Sequence, residues 1–181
     1  RELVYENSNV LLEMLTFLHT QADQIDRVVI PTQDEYLHHL VSDPRDGSEH
    51  IIPTVYHQTH TAGIGIMYRI IDTPAVFAAL RDHDFGGQTC RLRLTVRDTF
   101  LPENAGSLIV HFDQGKARIR EAQQWDVEIS LDIADWSTLL MGVIDFRSLY
   151  RLGLAQISDS DYVDIIDRLF AAEKPICMSA F

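Results

Sequence analysis

Residues 91 to 131 restrict the fold more than any other part of this chain. Leu92, Leu94 and Val96 alternate with Arg91, Arg93 and Arg97, and further on Trp125, Val127, Ile129 and Leu131 alternate with Asp126, Glu128 and Asp132. A period of two sends successive side chains to opposite faces of a strand, so each run predicts a strand with one buried and one wet face. Between them, residues 107–112 and 116–120 flank Asp113-Gln114-Gly115, which reads as a hairpin turn. Arginines face outward on two of these strands and carboxylates on a third, which predicts cross-strand ion pairs, each worth a few tenths of a kcal/mol. The result is a mostly antiparallel sheet with one solvated face.

Helical patterns surround that sheet. Thr73-Pro74 caps and starts a short helix through Leu80, after a strand-like run over residues 64–71. A helix over 135–141 stops at Gly142, another over 146–152 stops at Gly153, and Ser158 or Asp159 caps a last one bearing Tyr162, Val163, Ile165, Ile166, Leu169 and Phe170 and ended by Pro175. Upstream, Arg1-Glu2-Leu3-Val4-Tyr5 reads as the end of a strand that began earlier. Asn7 or Ser8 then caps a helix whose Val10, Leu11, Met14, Leu15, Phe17 and Leu18 form one apolar stripe. Residues 27–30 read as a short buried strand, and residues 32–35 cap a second helix with Tyr36, Leu37 and Leu40. This is β-α-β-α, half of an α/β unit. Pro44, Gly47 and Pro53 mark a junction, and the expected division is 1–62 and 63–181. The fold class is α+β. The start at Arg1, inside what reads as a strand, gives the expectation that this is the C-terminal piece of a longer protein.

Of the 181 residues, 46% are hydrophobic, enough for a sizeable core. No run approaches the roughly 18 apolar residues that span a bilayer, and no secretory signal is visible. The expectation is therefore a cytoplasmic protein without a membrane partner. Cys90 and Cys177 form no framework and no CxxC pair, and read as buried thiols in a reducing compartment. A formal charge of −12 argues against nucleic acid and suits cationic partners such as amines.

Few residues suggest chemistry. His38-His39 and His57-Gln58-Thr59-His60 invite a metal reading, but neighbours in sequence point different ways and no HExxH or cysteine partner exists, so surface histidines and no metal are expected. There is no GxSxG turn, no GxGxxG and no P-loop, hence no seat for a large phosphorylated cofactor. Arg91, Arg93, Arg97, Arg118 and Arg120 could form a basic patch, but no aromatic interleaves with them, and a salt-bridged sheet surface is the preferred reading. Trp125 and Trp136 are expected as core anchors rather than substrate platforms. The chain ends on an apolar peptide after Pro175, closing on Phe181. A held terminal carboxylate is ionised at neutral pH, with an unperturbed pKa of about 3.3 to 3.7, and partial burial would raise its basicity enough to take a proton from an ammonium group. The other reading is that Phe181 simply plugs the core.

In order along the chain, Leu3-Val4-Tyr5 with Leu11-Leu12 and Phe17-Leu18, Thr32-Gln33-Asp34-Glu35, Met67-Tyr68-Arg69-Ile70-Ile71-Asp72, Leu139-Leu140-Met141-Gly142, residues 149–153, and Leu169-Phe170 through Pro175 to Phe181 resemble the C-terminal part of the Eis-like (enhanced intracellular survival) acetyltransferases. The resemblance implies the remainder of a central GNAT-like domain over 1–62, followed by a sterol carrier protein-like domain over 63–181. It implies acetyl transfer from acetyl-CoA to a primary amine, with the carboxylate of Phe181 as general base. Acetyl-CoA and the tyrosine that protonates its thiolate would belong to the protein's own N-terminal GNAT domain, outside this chain, so the chain alone is expected to be inactive. Ala180 stands where some relatives place an acidic residue, which leaves the amine open. A homo-oligomer is also expected. The alternative is a non-enzymatic module that binds a lipid or other apolar ligand, in a tunnel lined by Leu139, Leu140, Phe146 and Leu149, or that assembles an oligomer.

Overall fold

A computed structural model describes residues 3–32, 34–53, 56–63, 67–121 and 123–175. They fall into two compact units that divide between Gly63 and Met67.

In the smaller unit the first helix begins at a polar cap. Asn7 Oδ1 accepts from the backbone N–H of Asn9 (3.0 Å) and Val10 (3.1 Å), filling two donors that a helix start leaves unpaired, and α1 runs Ser8–His19. Asp34 likewise accepts from Tyr36 N at 2.9 Å, but only a 3-10 turn, Leu37–Leu40, follows in place of the expected second helix. The extended backbone of Val41 and the coming Pro44 leave it no room to continue. A two-residue pair, β1 Ile51–Ile52 and β2 Tyr56–His57, is antiparallel. Of the strand expected over residues 1–5, Arg1 and Glu2 lie outside the described residues; residues 3–5 and the strand expected over 27–30 join no ladder among the described residues, and Val29 is 81% exposed where burial was expected. Among this unit's described residues only Leu11 is buried.

The larger unit has a dense core. Its first helix, α2 Thr73–Ala79, is capped by Asp72, whose Oδ1 accepts from Ala75 N at 2.8 Å, one residue before the expected cap. Thr73 is spoken for elsewhere, donating N–H and Oγ1–H to Asn104 Oδ1 at 2.9 and 3.1 Å. The strand expected over 64–71 is irregular in its described part, 67–71. Side chains take the backbone groups a ladder would use: Ile70 N donates to Ser137 Oγ, and Ile70 O accepts from Asn104 Nδ2, each at 3.0 Å.

The alternating segments give β3 Cys90–Arg97, β4 Gly106–Asp113, β5 Lys116–Ile119 and β6 Val127–Asp132, joined by β7 Ala155–Ile157. The order is β5-β4-β3-β6-β7, antiparallel except for a parallel β3–β6 pair. The β4–β5 hairpin supplies the long detour that a parallel pairing needs. Its turn residues, Gln114 (φ 46°) and Gly115 (φ 80°), both lie in the left-handed region that two-residue hairpins use. A Cβ on Gly115 would sit 1.9 Å from Asp84 Oδ1 and 2.9 Å from Gly87 N, because the turn docks on the loop before β3 through Phe85 N–H to Gly115 O (2.8 Å) and Gly115 N–H to Gln88 O (2.8 Å). Only glycine fits.

Three further helices, α3 Ile133–Leu140, α4 Phe146–Arg151 and α5 Val163–Leu169, cover the apolar side of the sheet. Leu92, Leu94, Val110, Ile129 and Leu131 are fully buried beneath them, each stabilising by about 1.5–3 kcal/mol. An aromatic cluster of Phe77, Phe85, Phe112, Trp136 and Phe170 sits at the centre, with Phe85–Phe112 and Trp136–Phe170 edge to face at 5.2 Å. The last helix ends at Leu169, six residues before Pro175, because Phe170 turns its ring into this cluster.

Candidate functional site

Where α2, the end of α3 and the segment after α5 converge, the larger unit holds a cavity of about 350 Å³, within the range of small-molecule pockets. Val76 and Leu80 come from α2, Phe85 from the next loop, Leu140 from α3, and Phe170 and Ala172 from the chain leaving α5. Helical spacing produces one wall, since Val76 and Ala79 share a face of α2 and Leu80 caps its end, and His83 follows in the turn after the helix. His83 is the one polar side chain among the described lining residues, its ring meeting Phe85 edge-on at 4.7 Å. A site so lined accepts an apolar body and offers a single polar contact. Of the four expected lining residues only Leu140 takes part; Leu139, Phe146 and Leu149 are closed into the core instead.

The cavity wall also sends the chain on its way. Gly142 (φ 68°) ends α3, and a Cβ there would meet Ala172 O at 2.8 Å and Glu173 O at 2.9 Å. The main chain approaching Pro175 is thus held against the α3 terminus. Phe181 and Cys177 lie outside the described residues.

Cys90 is buried in the core, and burial, helped by the Asp126 carboxylate, pushes its thiol up to about 12. It therefore offers no thiolate for nucleophilic work. In the smaller unit His38 packs between His39 (ring centroids 4.2 Å) and His60 (5.4 Å), while His60 Nδ1 lies 2.8 Å from Thr59 Oγ1. No group of three or more His, Cys, Asp or Glu among the described residues could hold a metal ion. No described helix is long and apolar enough to cross a membrane.

On the outer face of the sheet the expected ion pairs form. Arg91 binds Asp126 through its backbone N–H (2.7 Å) and its guanidinium, Arg93 approaches Glu128 at 3.7 Å, and Arg97 reaches Asp132 at 3.1 Å. The Arg91 hydrogen bonds hold the Asp126 carboxyl below its usual range against the opposing effect of burial. Trp136 is fully buried, as expected of a core anchor, but Trp125 is not one. It is 38% exposed, with the Arg93 guanidinium 4.5 Å from its ring centroid. It precedes β6 by two residues, beyond the paired strand that would have fixed its face, and the nearby guanidinium holds the ring on the arginine side.

Compared with known proteins, residues 76–178 match the family model described as the sterol carrier protein domain. No curated protein matches the chain. Among solved structures, a GCN5-related N-acetyltransferase from Kribbella flavida is 18% identical with a TM-score of 0.50, over 62% of this chain and 29% of that one. A conserved protein of unknown function from Enterococcus faecalis V583, reported as a probable N-acyltransferase, is 22% identical with a TM-score of 0.51, over 62% and 28%. Eis1 from Mycobacterium abscessus is 25% identical with a TM-score of 0.46, over 62% and 27%. The first two share the fold, and this chain spans less than a third of their length.

Proposed function

Since the chain belongs to the sterol carrier protein domain family, we propose that it is the C-terminal region of an acetyl-CoA-dependent N-acetyltransferase acting on a primary amine. The observation that carries this reading is the recurrence of its fold within chains called N-acetyltransferase and probable N-acyltransferase, of which it makes up under a third. The smaller unit supports it: a helix with an apolar stripe and only Leu11 buried among the described residues is a surface made for further chain. We assign residues 1–62 to the remainder of a GNAT-like domain and 63–181 to the sterol carrier protein-like domain, in a cytoplasmic enzyme.

The reading places acetyl-CoA outside this chain, and the cavity of the larger unit is lined by apolar side chains apart from His83. The acetyl donor belongs to an N-terminal acetyltransferase domain, and this chain's share of the reaction is proton transfer. The carboxylate of Phe181 accepts a proton from the substrate ammonium, which frees the nitrogen lone pair to attack the thioester carbonyl and expel the thiolate. The test is release of CoA thiol from acetyl-CoA and a primary amine, followed with a thiol-reactive dye. The chain joined to its acetyltransferase domain turns over and the chain alone does not; turnover by these 181 residues alone defeats the assignment.

A second reading rests on the cavity itself. Its apolar walls suit an acyl chain, so the sterol carrier-like domain holds an apolar ligand without performing chemistry. Titration with a fluorescent fatty acid then saturates near one equivalent, and Leu140→Trp, which fills the space, abolishes the signal. A linear, unsaturable response removes this reading.

A further inference from the structure

The segment that leaves α5 is held at two points, and the cavity lies between them. At its start the carbonyl of Arg168 closes on Gly86 (φ 62°), where a Cβ would overlap it. At its far end the carbonyls of Ala172 and Glu173 press on Gly142 (φ 68°), 2.8 and 2.9 Å from where a Cβ would stand. Between the two holds, Leu169, Phe170, Ala171 and Ala172 all line the cavity. So do Phe85 and Met141, the residues just before each of those glycines. The cavity wall and the track of the main chain toward Pro175 are therefore one stretch of backbone. Its own hydrogen bonds are long: Phe170 N–H and Ala171 N–H reach Ile166 O and Arg168 O at 3.3 and 3.4 Å, against a usual distance of about 2.9–3.0 Å. Packing fixes this stretch more than hydrogen bonding does, and packing depends on what fills the space beside it.

We propose that the cavity is a regulatory site: an acyl chain bound in it fixes the path of residues 169–173 and so sets where the peptide beyond Pro175 is delivered. This rests on the apolar-ligand reading given above, and adds to it that binding and the path of the chain are coupled. The physical basis is differential contact. An acyl chain gains dispersion contacts against Phe170, Ala171 and Ala172 only while this stretch lies on its two glycines, so it favours that path over any other. Coupling is reciprocal, and a change that lifts the stretch off Gly142 weakens the ligand by the same factor. His83, the exposed polar member of the lining, meets the ligand's polar end. Phe181, the base proposed above, follows within the delivered peptide, so occupancy of the cavity governs whether its carboxylate is in place.

Hydrogen exchange read by mass spectrometry, with the fluorescent fatty acid cis-parinaric acid as the probe, tests this on the whole chain. At saturating probe the peptide over 169–175 exchanges about tenfold more slowly, while α4, whose Phe146 and Leu149 lie outside the lining, changes much less. Gly142→Ala, a change outside the lining that drives a methyl group into Ala172 O and Glu173 O, weakens probe binding by about tenfold. Gly153→Ala is the control. That glycine has the same left-handed backbone (φ 74°) after α4, but a Cβ there meets nothing within 4 Å, so probe affinity is unchanged. The exchange measurement needs no variant and decides alone where Gly142→Ala does not fold. Saturable binding without slower exchange over 169–175, or with equal slowing throughout the larger unit, overturns the coupling and leaves the apolar-ligand reading standing. So does equal probe affinity in folded Gly142→Ala and wild type. Absence of saturable binding ends both.

Discussion

With this chain joined to the acetyltransferase domain proposed for it, one glycine appended after Phe181 is expected to lower turnover by about a hundredfold or more, the usual contribution of a positioned general base. The effect follows from where the proposed base resides. A side-chain base would survive the extension, whereas here the carboxylate is converted to a neutral amide and the new one lies about 3.8 Å further along the main chain. The near-attack geometry for proton removal does not tolerate such a shift. The proposal places the donor in another domain, so the KM for acetyl-CoA is expected to be unchanged, and so is the unfolding midpoint. Phe181→Ala separates ring from carboxylate: it keeps the charge and removes the ring, and turnover between that of wild type and that of the extended form is expected. Unchanged turnover in the extended protein would remove the carboxylate from the mechanism and leave the apolar-ligand reading in possession of the fold.

The strands were legible because their alternation is a direct record of packing. Leu92, Leu94, Val96, Ile129 and Leu131 are inside and their arginine and carboxylate neighbours outside, and the ion pairs follow from which strands meet. Elsewhere the pattern was read correctly but its partner was not. Residues 67–71 look like a strand, yet Ser137 and Asn104, 67 and 34 residues away from Ile70, satisfy its backbone, a tertiary choice invisible to any local window. The small unit fails differently. Its helix is capped as expected, but Val28 and Val29 find no ladder, and Leu12 and Phe17 remain exposed at 57% and 64%. Hydrophobic periodicity says which face seeks burial, never what covers it. Trp125 was misplaced for the opposite reason, since it continues the alternation by arithmetic while sitting outside the paired strand. The cavity was half legible: Val76 and Ala79 share a face of the short helix expected through Leu80, but His83 comes from the turn beyond it and the opposite wall depends on Phe170 leaving its helix early.

Phe170 is accordingly the position where one substitution costs the larger unit most. Its ring meets Trp136 at 5.2 Å, Phe112 at 6.2 Å and Phe85 at 6.3 Å, all close to perpendicular, so it ties α3, β4 and the loop before β3 to the end of α5. Phe170→Ala removes those contacts and the transfer free energy of a ring that is only 5% exposed. Buried Phe→Ala changes cost about 3–5 kcal/mol, and the lower end applies because one side of the ring already faces the cavity and needs no repacking. Against a typical domain stability of about 5–15 kcal/mol, a loss near 3 is a large share of the whole. Urea unfolding reads it as a lower midpoint with an unchanged slope. Leu140→Ala, on the other side of the same cavity but only partly buried, costs clearly less, which separates loss of the aromatic tie from mere enlargement of the void. Equal losses from the two substitutions would mean that the wall, not the aromatic cluster, holds the chain in its path toward Pro175.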